Sequence, residues 1–219
     1  LTVFRLRQKD QRAVLEMGIS DFGEMSRLAK VARPDTCVIT NIGWCHLENL
    51  KDRDGIFKAK TEMFAFLKPG GRAVLNGDDD KLCQVEQVQG ERPLFFGLEE
   101  KNDLWADQIE SLGLKGTLCR IHTREGSFSV RIPMPGRHMV YNALAGTGVG
   151  LLYGLNLQEI KEGIESLQPV SGRFRIVETG KYTVVDDCYN ANPVSMKASL
   201  DVLKDGLGRR VAILGDMGE

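Results

Sequence analysis

The sequence predicts an α/β fold, in which a mostly parallel sheet flanked by helices carries a small antiparallel sub-sheet. In the first third of the chain, short apolar strands alternate with amphipathic helices, a pattern typical of βαβ units and parallel sheets. Between residues 93 and 133 the pattern changes to short alternating strands, which predicts the antiparallel part. Beyond residue 172 a βαβ pattern begins again, which predicts the opening of a second α/β domain.

Five elements are predicted in the first third of the chain. They are a buried strand at 12–17, a helix at 22–32, a strand at 36–40, a helix at 54–67 and a strand at 72–76. The strands are short apolar runs, whereas the helices repeat apolar residues every three or four positions. The helix at 54–67 ends before Pro69-Gly70-Gly71, because proline and glycine interrupt helices.

The remaining elements follow the same rules. They are strands at 116–122 and 127–132, helices at 139–153 and 157–167, a linker at 169–172, a strand at 183–187, a helix at 194–203 and a strand at 211–214. The linker contains proline and glycine and separates two stretches with different patterns. The predicted domains are therefore residues 1–172, and residues 173–219 as the truncated beginning of another domain.

Composition excludes several classes of function. The net charge is −1 and charged residues make up 27% of the chain, so no broad basic surface for nucleic acid is expected. No apolar run reaches the length of a membrane span. The five cysteines are widely spaced and form no CxxC pair, which argues against a structural zinc site and favours a reducing cytoplasm.

Lys60 lies on the apolar side of its predicted helix. At 100° per residue, Ile56, Met63 and Leu67 form one stripe, and Lys60 falls near its middle. One interpretation is that the side-chain stem is buried while the ammonium reaches water. The other is a buried amine with a depressed pKa. Such an amine adds CO₂ to give a carbamate, which binds a metal as a carboxylate does.

Polar side chains follow the ends of two predicted parallel strands, where ligands bind in open α/β sheets. Glu16 closes the strand at 12–17, and its carboxylate is suited to Mg²⁺ beside nucleotide phosphates. The alternative for Glu16 is a solvated strand end or a helix cap. The next strand leads through Asn41 into a loop with His46 and Glu48. A histidine there is either a polar loop residue or part of a site.

A turn at residues 186–193 contains two aspartates and two asparagines between a predicted strand and a predicted helix. These side chains could hydrogen-bond ribose hydroxyls or an adenine edge. Asn192 followed by Pro193 is equally typical of the start of a helix. The chain contains no G-x-x-x-x-G-K-[ST] loop to hold a triphosphate. The residues alone therefore support an α/β protein with a nucleotide or metal site.

Taken in order along the chain, the motifs resemble the Mur ligase family, which comprises ATP-dependent amino-acid and peptide ligases of bacterial cell-wall synthesis. The matching motifs are Val14-Leu-Glu-Met-Gly18 with Gly23-Glu24, Thr40-Asn-Ile-Gly-x-x-His-Leu-Glu48, Ala59-Lys60-x-Glu62, Asn76-x-Asp-Asp79, Pro135-Gly-Arg-His138 with Asn142, Ser171-Gly-Arg173, Asp186-Asp-x-Tyr-Asn-Ala-Asn-Pro193 and Gly215-Asp-Met217. The sequence Tyr-Asn-Ala-Asn-Pro resembles the corresponding motif in the branch of the family whose members add D-alanyl-D-alanine.

This resemblance implies a fold and a reaction. Residues 1–172 would be the P-loop NTPase-like central domain without its phosphate loop, and 173–219 the start of a Rossmann-like C-terminal domain. The implied enzyme is a cytoplasmic monomer, with no nucleic-acid partner and no membrane insertion, that uses ATP and Mg²⁺ to join D-alanyl-D-alanine to UDP-MurNAc-tripeptide through an acyl phosphate. A piece without the phosphate loop is expected not to turn over ATP on its own.

The resemblance also implies roles for single residues. Glu16 would bind the Mg²⁺ that bridges the ATP phosphates, while His46 and carbamylated Lys60 would surround a second metal near the acyl phosphate and act in catalysis. The implied nucleotide contacts are Asn142 for adenine, Arg173 for phosphate, Asp187 for ribose, and Asn190 and Asn192 in the same turn. Met139 departs from the family, which usually has asparagine there. The rivals are another Mur-type amino-acid or polyglutamate ligase and a non-catalytic nucleotide-binding relative.

Overall fold

A computed structural model describes residues 2–44, 47–170 and 172–217, and in this part of the chain one six-stranded sheet organises the fold. Its strands are β1 (Thr36–Ile39), β2 (Arg72–Asn76), β3 (Leu94–Gly97), β4 (Leu104–Ser111), β5 (Thr117–Thr123) and β6 (Gly126–Ile132), which lie in chain order across the sheet. Strands β1 to β4 are parallel, and β4 to β6 are antiparallel. The predicted α/β class with a small antiparallel part is confirmed.

Six α-helices accompany the described strands. They are α1 (Glu24–Ala32), α2 (Leu47–Leu50), α3 (Arg53–Thr61), α4 (His138–Leu152), α5 (Leu157–Glu165) and α6 (Pro193–Lys204). A 3₁₀ helix at Glu62–Phe66 continues α3. The helix predictions at 22–32, 54–67, 139–153, 157–167 and 194–203 are confirmed with small changes at the ends. None of the described helices combines the length and the apolar character needed to cross a membrane.

The two faces of the sheet support two separate hydrophobic cores. Successive side chains of a strand point to opposite faces, so the buried neighbours Val74 and Leu75 of β2 belong to different cores. Helices α1 and α3 contribute to the Leu75 core, whereas α4 and α5 contribute to the Val74 core. Both sides of the parallel strands are therefore covered, which explains their continuous apolar sequence.

Two predicted strands are absent from the described structure. Residues 12–17 and 211–214 form no strand, and Val14 and Ile213 are each 95% exposed. Glu16 therefore does not end a strand, and its predicted position is wrong. A short apolar run is compatible with a strand, but it becomes one only where a neighbouring strand satisfies its backbone hydrogen bonds. Within the described residues, no sheet provides that partner for either segment.

The predicted βαβ pattern near the end of the chain is confirmed only for its first strand and its helix, because residues 211–214 form no strand. Two strands, β7 (Arg175–Glu178) and β8 (Thr183–Asp186), form an antiparallel hairpin that precedes α6. Strand β8 was expected, whereas β7 was missed. It has only two apolar residues, which stand together between two charged ones, a signal too short to separate a strand from a loop.

Helix α1 begins without a cap of its own and takes one from a distant glutamate. Its N-cap residue, Gly23, has φ 77° and offers no side chain. Instead, the Glu62 carboxylate accepts hydrogen bonds from the Gly23 and Ser26 backbone N–H groups at 2.8 and 3.0 Å, and from Ser26 Oγ at 2.9 Å. Burial acts most strongly on Glu62 and raises its pKa, but these hydrogen bonds together outweigh burial and leave the pKa below its ordinary value.

Replacement of Glu62 by glutamine should therefore destabilise the fold at neutral pH. A depressed pKa in the folded state gives stability that is present above the ordinary glutamate pKa and is lost as pH falls through the folded value. We expect E62Q to lower the free energy of unfolding by about 1 kcal/mol at pH 7 and by less at acidic pH. Denaturant unfolding across pH measures this, with the exposed Glu86→Gln as a control; a constant deficit at every pH would contradict it.

Candidate active site

The loop after β1 is held by the turn after β2. These parallel strands end side by side, since Ile39 pairs with Leu75. Asn76 Nδ2 donates to Thr40 O at 2.9 Å, and Asp79 Oδ2 accepts from Ile42 N at 2.7 Å. Both contacts are made by side chains to backbone groups 36 and 37 residues away. The loop that leads towards His46 is thereby fixed at the carboxyl edge of the sheet, where the sequence predicts a ligand site.

Lys60 reaches the same loop from α3. Its Nζ donates to Asn41 O at 2.9 Å, and the side chain is half-buried, whereas Ile56 and Met63 of the same stripe are buried. Lys60 is therefore less buried than the other residues of the predicted stripe. The amine leaves the core and lies at the strand ends. The structure thus brings Lys60 and Asn41 together, as a site at this edge requires.

Arg53, at the start of α3, makes a fourth contact to the loop. Its Nε donates to Ile42 O at 2.9 Å, while its other nitrogens bond the Asp80 carboxylate. The guanidinium holds the pKa of Asp80 below its usual range, mainly through this hydrogen bond. The acidic turn at residues 76–80 therefore organises the neighbouring loop. Nothing in the local sequence shows these partners.

The predicted metal ligands lie only partly within the described residues, and their use as ligands stays a prediction. Glu16 is exposed and lies outside any strand, and His46 lies outside the described residues. Across residues 2–44, 47–170 and 172–217, no three side chains of the His, Cys, Asp or Glu type form a group able to hold a metal ion. The carboxylate of Glu16 and a carbamate on Lys60 would be oxygen donors of the kind that Mg²⁺ prefers.

The start of α4 presents the residue predicted to contact adenine. Asn142 is exposed, and its Nδ2 lies 3.5 Å from Met139 Sδ. The neighbouring Tyr141 turns inwards, and its hydroxyl donates to Asp78 Oδ2 at 3.1 Å. Burial and the Asp78 carboxylate raise the pKa of Tyr141 to about 12, so the hydroxyl stays protonated and remains a donor. Asn142 is thus available to a ligand, while Tyr141 anchors the helix.

Arg173 and Asp187 come together where residues 172–174 lie against residues 187–189. The Arg173 guanidinium lies 4.0 Å from the centroid of the Tyr189 ring, a cation–π contact. Asp187 Oδ1 accepts from Phe174 N at 3.1 Å, and its other oxygen accepts from Ser199 Oγ. Both predicted residues therefore share one loop contact, and each Asp187 oxygen keeps a lone pair for a further donor.

Asn190 and Asn192 are engaged in local structure. Asn190 Oδ1 accepts from Ala191 N at 2.8 Å, and the side chain is exposed. Asn192 forms a capping box with Ser195, in which Asn192 Oδ1 accepts from Ser195 N at 2.9 Å. The helix-start interpretation of Asn192 is confirmed, and its interpretation as a nucleotide contact stays a prediction.

His138, the first residue of α4, lines a cleft together with residues of α6. Burial lowers its pKa, and the Asp187 carboxylate opposes this change. This cleft of about 360 Å³ separates the ends of β4 and β5 from α6. Ser111 Oγ donates to Asp205 Oδ2 across it at 2.6 Å. Sequence reasoning missed this cleft because its walls lie 94 residues apart along the chain.

Two family models match the chain. The Mur ligase middle domain matches residues 1–150, and the domain described as Mur ligase, glutamate ligase domain matches residues 172–219. A curated relative, the UDP-N-acetylmuramoyl-tripeptide–D-alanyl-D-alanine ligase of Escherichia coli (strain K12), is 35% identical over 222 aligned residues. The match covers all of this chain and 49% of the relative, so the chain spans about half the length of the curated relatives it matches.

Solved structures agree with these matches. A crystal structure of MurF from Acinetobacter baumannii is 35% identical and superimposes with a TM-score of 0.91, covering 97% of this chain and 47% of that one. A MurF ligase from Thermotoga maritima, solved in complex with ADP, is 29% identical with a TM-score of 0.75, covering 87% of this chain and 44% of that one. The parallel sheet, its helices and the antiparallel extension are therefore shared with known ligases.

Proposed function

Since this chain belongs to the Mur ligase family, we propose that it forms the ATP-binding core of a ligase that joins D-alanyl-D-alanine to UDP-MurNAc-tripeptide. The observation that carries the proposal is the 35% identity to the Escherichia coli ligase of that name along the whole of this chain. The fold places Lys60 and the loop after β1 at the carboxyl edge of the sheet, the usual position of ligands in such folds.

The proposed domain boundary lies between residues 172 and 173. Residues 1–172 would form the central ATP-binding domain without its phosphate loop, and 173–219 the truncated beginning of the C-terminal domain. Two observations support this division. The family matches end at residue 150 and resume at 172, and the described residues between the end of α5 at Glu165 and the start of β7 at Arg175 contain no helix or strand.

The proposed reaction proceeds in two steps. A terminal carboxylate oxygen of the tripeptide attacks the γ-phosphorus of ATP, and ADP leaves, which gives an acyl phosphate. The amine of D-alanyl-D-alanine then attacks the acyl carbon, a tetrahedral intermediate forms, and phosphate leaves as the amide bond is completed and the amine loses its proton. Such phosphoryl transfer depends mainly on positioning and on stabilisation of charge.

The nucleotide end of the site would be formed by residues from both proposed domains, 1–172 and 173–219. Asn142 would hydrogen-bond the adenine edge, since its side chain is exposed on α4. Asp187 would accept from a ribose hydroxyl with its remaining lone pairs. Arg173 would leave the Tyr189 ring to neutralise phosphate charge, and the turn with Asn190 and Asn192 would line the same end. The contact of residues 172–174 with 187–189 supports this assignment, because it keeps Arg173 and Asp187 together.

The acyl-phosphate end would be formed by Lys60 and His46. We propose that Lys60 adds CO₂ and loses a proton to give a carbamate, that His46 and this carbamate would surround a second metal, and that Glu16 would bind the Mg²⁺ beside the ATP phosphates. When bound, the metal would neutralise phosphate charge. The half-buried amine at the strand ends supports the assignment of Lys60, while the exposed position of Glu16 gives no such support.

A cytoplasmic location is proposed from the cysteines and the use of ATP. Cys37, Cys83, Cys119 and Cys188 are free thiols, and burial raises the pKa of Cys37 to about 12 and that of Cys119 to about 11. The two buried thiols are therefore unreactive, and the four described cysteines form no disulfide, which is the usage typical of a reducing compartment.

Incubation of the full-length protein with ATP, UDP-MurNAc-tripeptide and D-alanyl-D-alanine tests the proposal. The expected product is the UDP-linked pentapeptide, detected by its mass, together with ADP and phosphate. Omission of D-alanyl-D-alanine should prevent formation of the amide. Binding of ADP without any ligation, with all substrates present, would instead identify a non-catalytic nucleotide-binding relative.

A further inference from the structure

The acidic turn after β2 contacts both halves of the proposed site. Asp78 and Asp79 are adjacent in sequence, but their carboxylates point to different elements. Asp78 accepts from Tyr141 of α4, while Asp79 accepts from Ile42 in the loop after β1. One short turn therefore joins the helix that carries Asn142 to the loop that meets Lys60.

The Asp78 side of the turn anchors α4. The N-cap residue of this helix, Arg137, makes no side-chain capping bond, so the first turn is held by tertiary contacts. Asp78 itself is fixed by hydrogen bonds from Leu98 N at 2.5 Å and Asn102 Nδ2 at 2.8 Å. Tyr141 thus donates to a carboxylate whose position is fixed by two other hydrogen bonds. Because Asn142 follows Tyr141 in α4, its position is fixed as well.

The Asp79 side of the turn fixes the loop. The Asp79 side chain is only 7% exposed, and its second oxygen accepts from Lys81 N and Leu82 N at 3.0 and 3.1 Å. It therefore bonds its own turn and the distant Ile42 N at the same time. A buried carboxylate that accepts several hydrogen bonds is a stiff connection, because each bond restricts its rotation.

We propose that residues 76–80 are a two-sided positioning element, in which Asp78 orients the nucleotide contact through Tyr141 and Asp79 orients the acyl-phosphate loop through Ile42. This inference rests on the proposed ligase function. Neither carboxylate needs to contact a substrate. The two sides should therefore affect different kinetic parameters, the affinity for ATP on one side and the rate of ligation on the other.

Tyr141→Phe tests the nucleotide side in the full-length protein. It removes one hydroxyl and leaves the ring, so Asp78 keeps its bonds to Leu98 and Asn102. We expect the KM for ATP and the Kd for ADP to rise about five- to tenfold, with kcat within about twofold of wild type. The control is Tyr153→Phe, which removes a hydroxyl 3.3 Å from Thr36 Oγ1 just beyond the other end of α4 and should change neither parameter.

Asp79→Asn tests the loop side. We expect kcat to fall about tenfold, while the KM for ATP and the Kd for ADP stay near wild type. Asp35→Asn, which alters an exposed carboxylate paired with Lys68, is the control. If D79N fails to fold, Arg53→Lys replaces it, because it removes the Nε donor to Ile42 O while keeping the charge.

The possible results distinguish a failure of the positioning element from a failure of the proposed ligase function. A wild-type protein that performs no ligation contradicts the proposed function. An active wild type in which Y141F leaves the KM for ATP unchanged, or in which Y141F and the loop variant alter the same parameter, overturns the positioning element alone. Opposite changes, in nucleotide affinity for Y141F and in kcat for the loop variant, support it.

Discussion

Replacement of Lys60 by alanine in the full-length protein is expected to abolish ligation, with a loss of about 100- to 1,000-fold or more in kcat. Lys60 reaches the loop after β1 from α3, and its Nζ lies 2.9 Å from Asn41 O. If Lys60 carries a carbamate, its removal deletes a negative oxygen ligand beside the acyl phosphate. Phosphate release in the presence of all three substrates measures the loss.

Chemical rescue distinguishes a carbamate from an ammonium. Added acetate or another short carboxylic acid should restore part of the activity of K60A, because it can occupy the space of the carbamate, whereas methylamine should not. Lys60→Arg keeps a positive donor but forms no carbamate, so it should also be inactive. The control Lys58→Ala alters an exposed lysine two residues away. Unchanged activity in K60A, or rescue by methylamine alone, would contradict the carbamate.

Replacement of Gly55 by alanine is expected to be the most damaging small substitution in α3. An ideal Cβ at Gly55 would lie 1.8 Å from Leu50 O and 3.3 Å from the Phe22 ring. The first of these is a backbone atom, so α2 and α3 must move apart. We expect the free energy of unfolding to fall by about 2–4 kcal/mol. Ligation should fall as well, since α3 carries Lys60.

This destabilisation is opposite to the usual effect, because replacement of glycine by alanine inside a helix usually raises the stability of a protein by about 1 kcal/mol. Gly163 of α5 provides the matched control, since it is exposed and an added Cβ would meet nothing within 4 Å. We expect Gly163→Ala to raise the free energy of unfolding by about 0.5–1 kcal/mol. Thermal or denaturant unfolding of both variants measures the contrast. A G55A protein as stable as G163A would show that α2 and α3 do not pack as closely as described.

Sequence alone predicts those parts of the fold that depend on local patterns. The stripe of Ile56 and Met63 and the cap residue Asn192 indicate their helices from nearby residues. The ordered motifs from Val14 to Met217 indicate the family, and the matches to the two Mur ligase domains confirm it.

The features that sequence misses depend on distant partners. Residues 12–17 have the composition of a strand, but within the described structure no neighbouring strand pairs with them. Glu62 caps a helix 36 residues earlier in the chain, and Asp78 bonds Tyr141 63 residues later. The sequence does not show whether a carboxylate in a turn bonds its own turn or a distant part of a site, because the tertiary fold determines its partner.

Comparison of amine acceptors tests the central claim most directly. The full-length protein is incubated with ATP and UDP-MurNAc-tripeptide, and phosphate release is measured with D-alanyl-D-alanine, with single amino acids and with no amine. The proposed function requires release that depends on both the tripeptide and D-alanyl-D-alanine, with one phosphate for each amide formed. Faster release with a single amino acid such as glutamate, or no dependence on any acceptor, would contradict it.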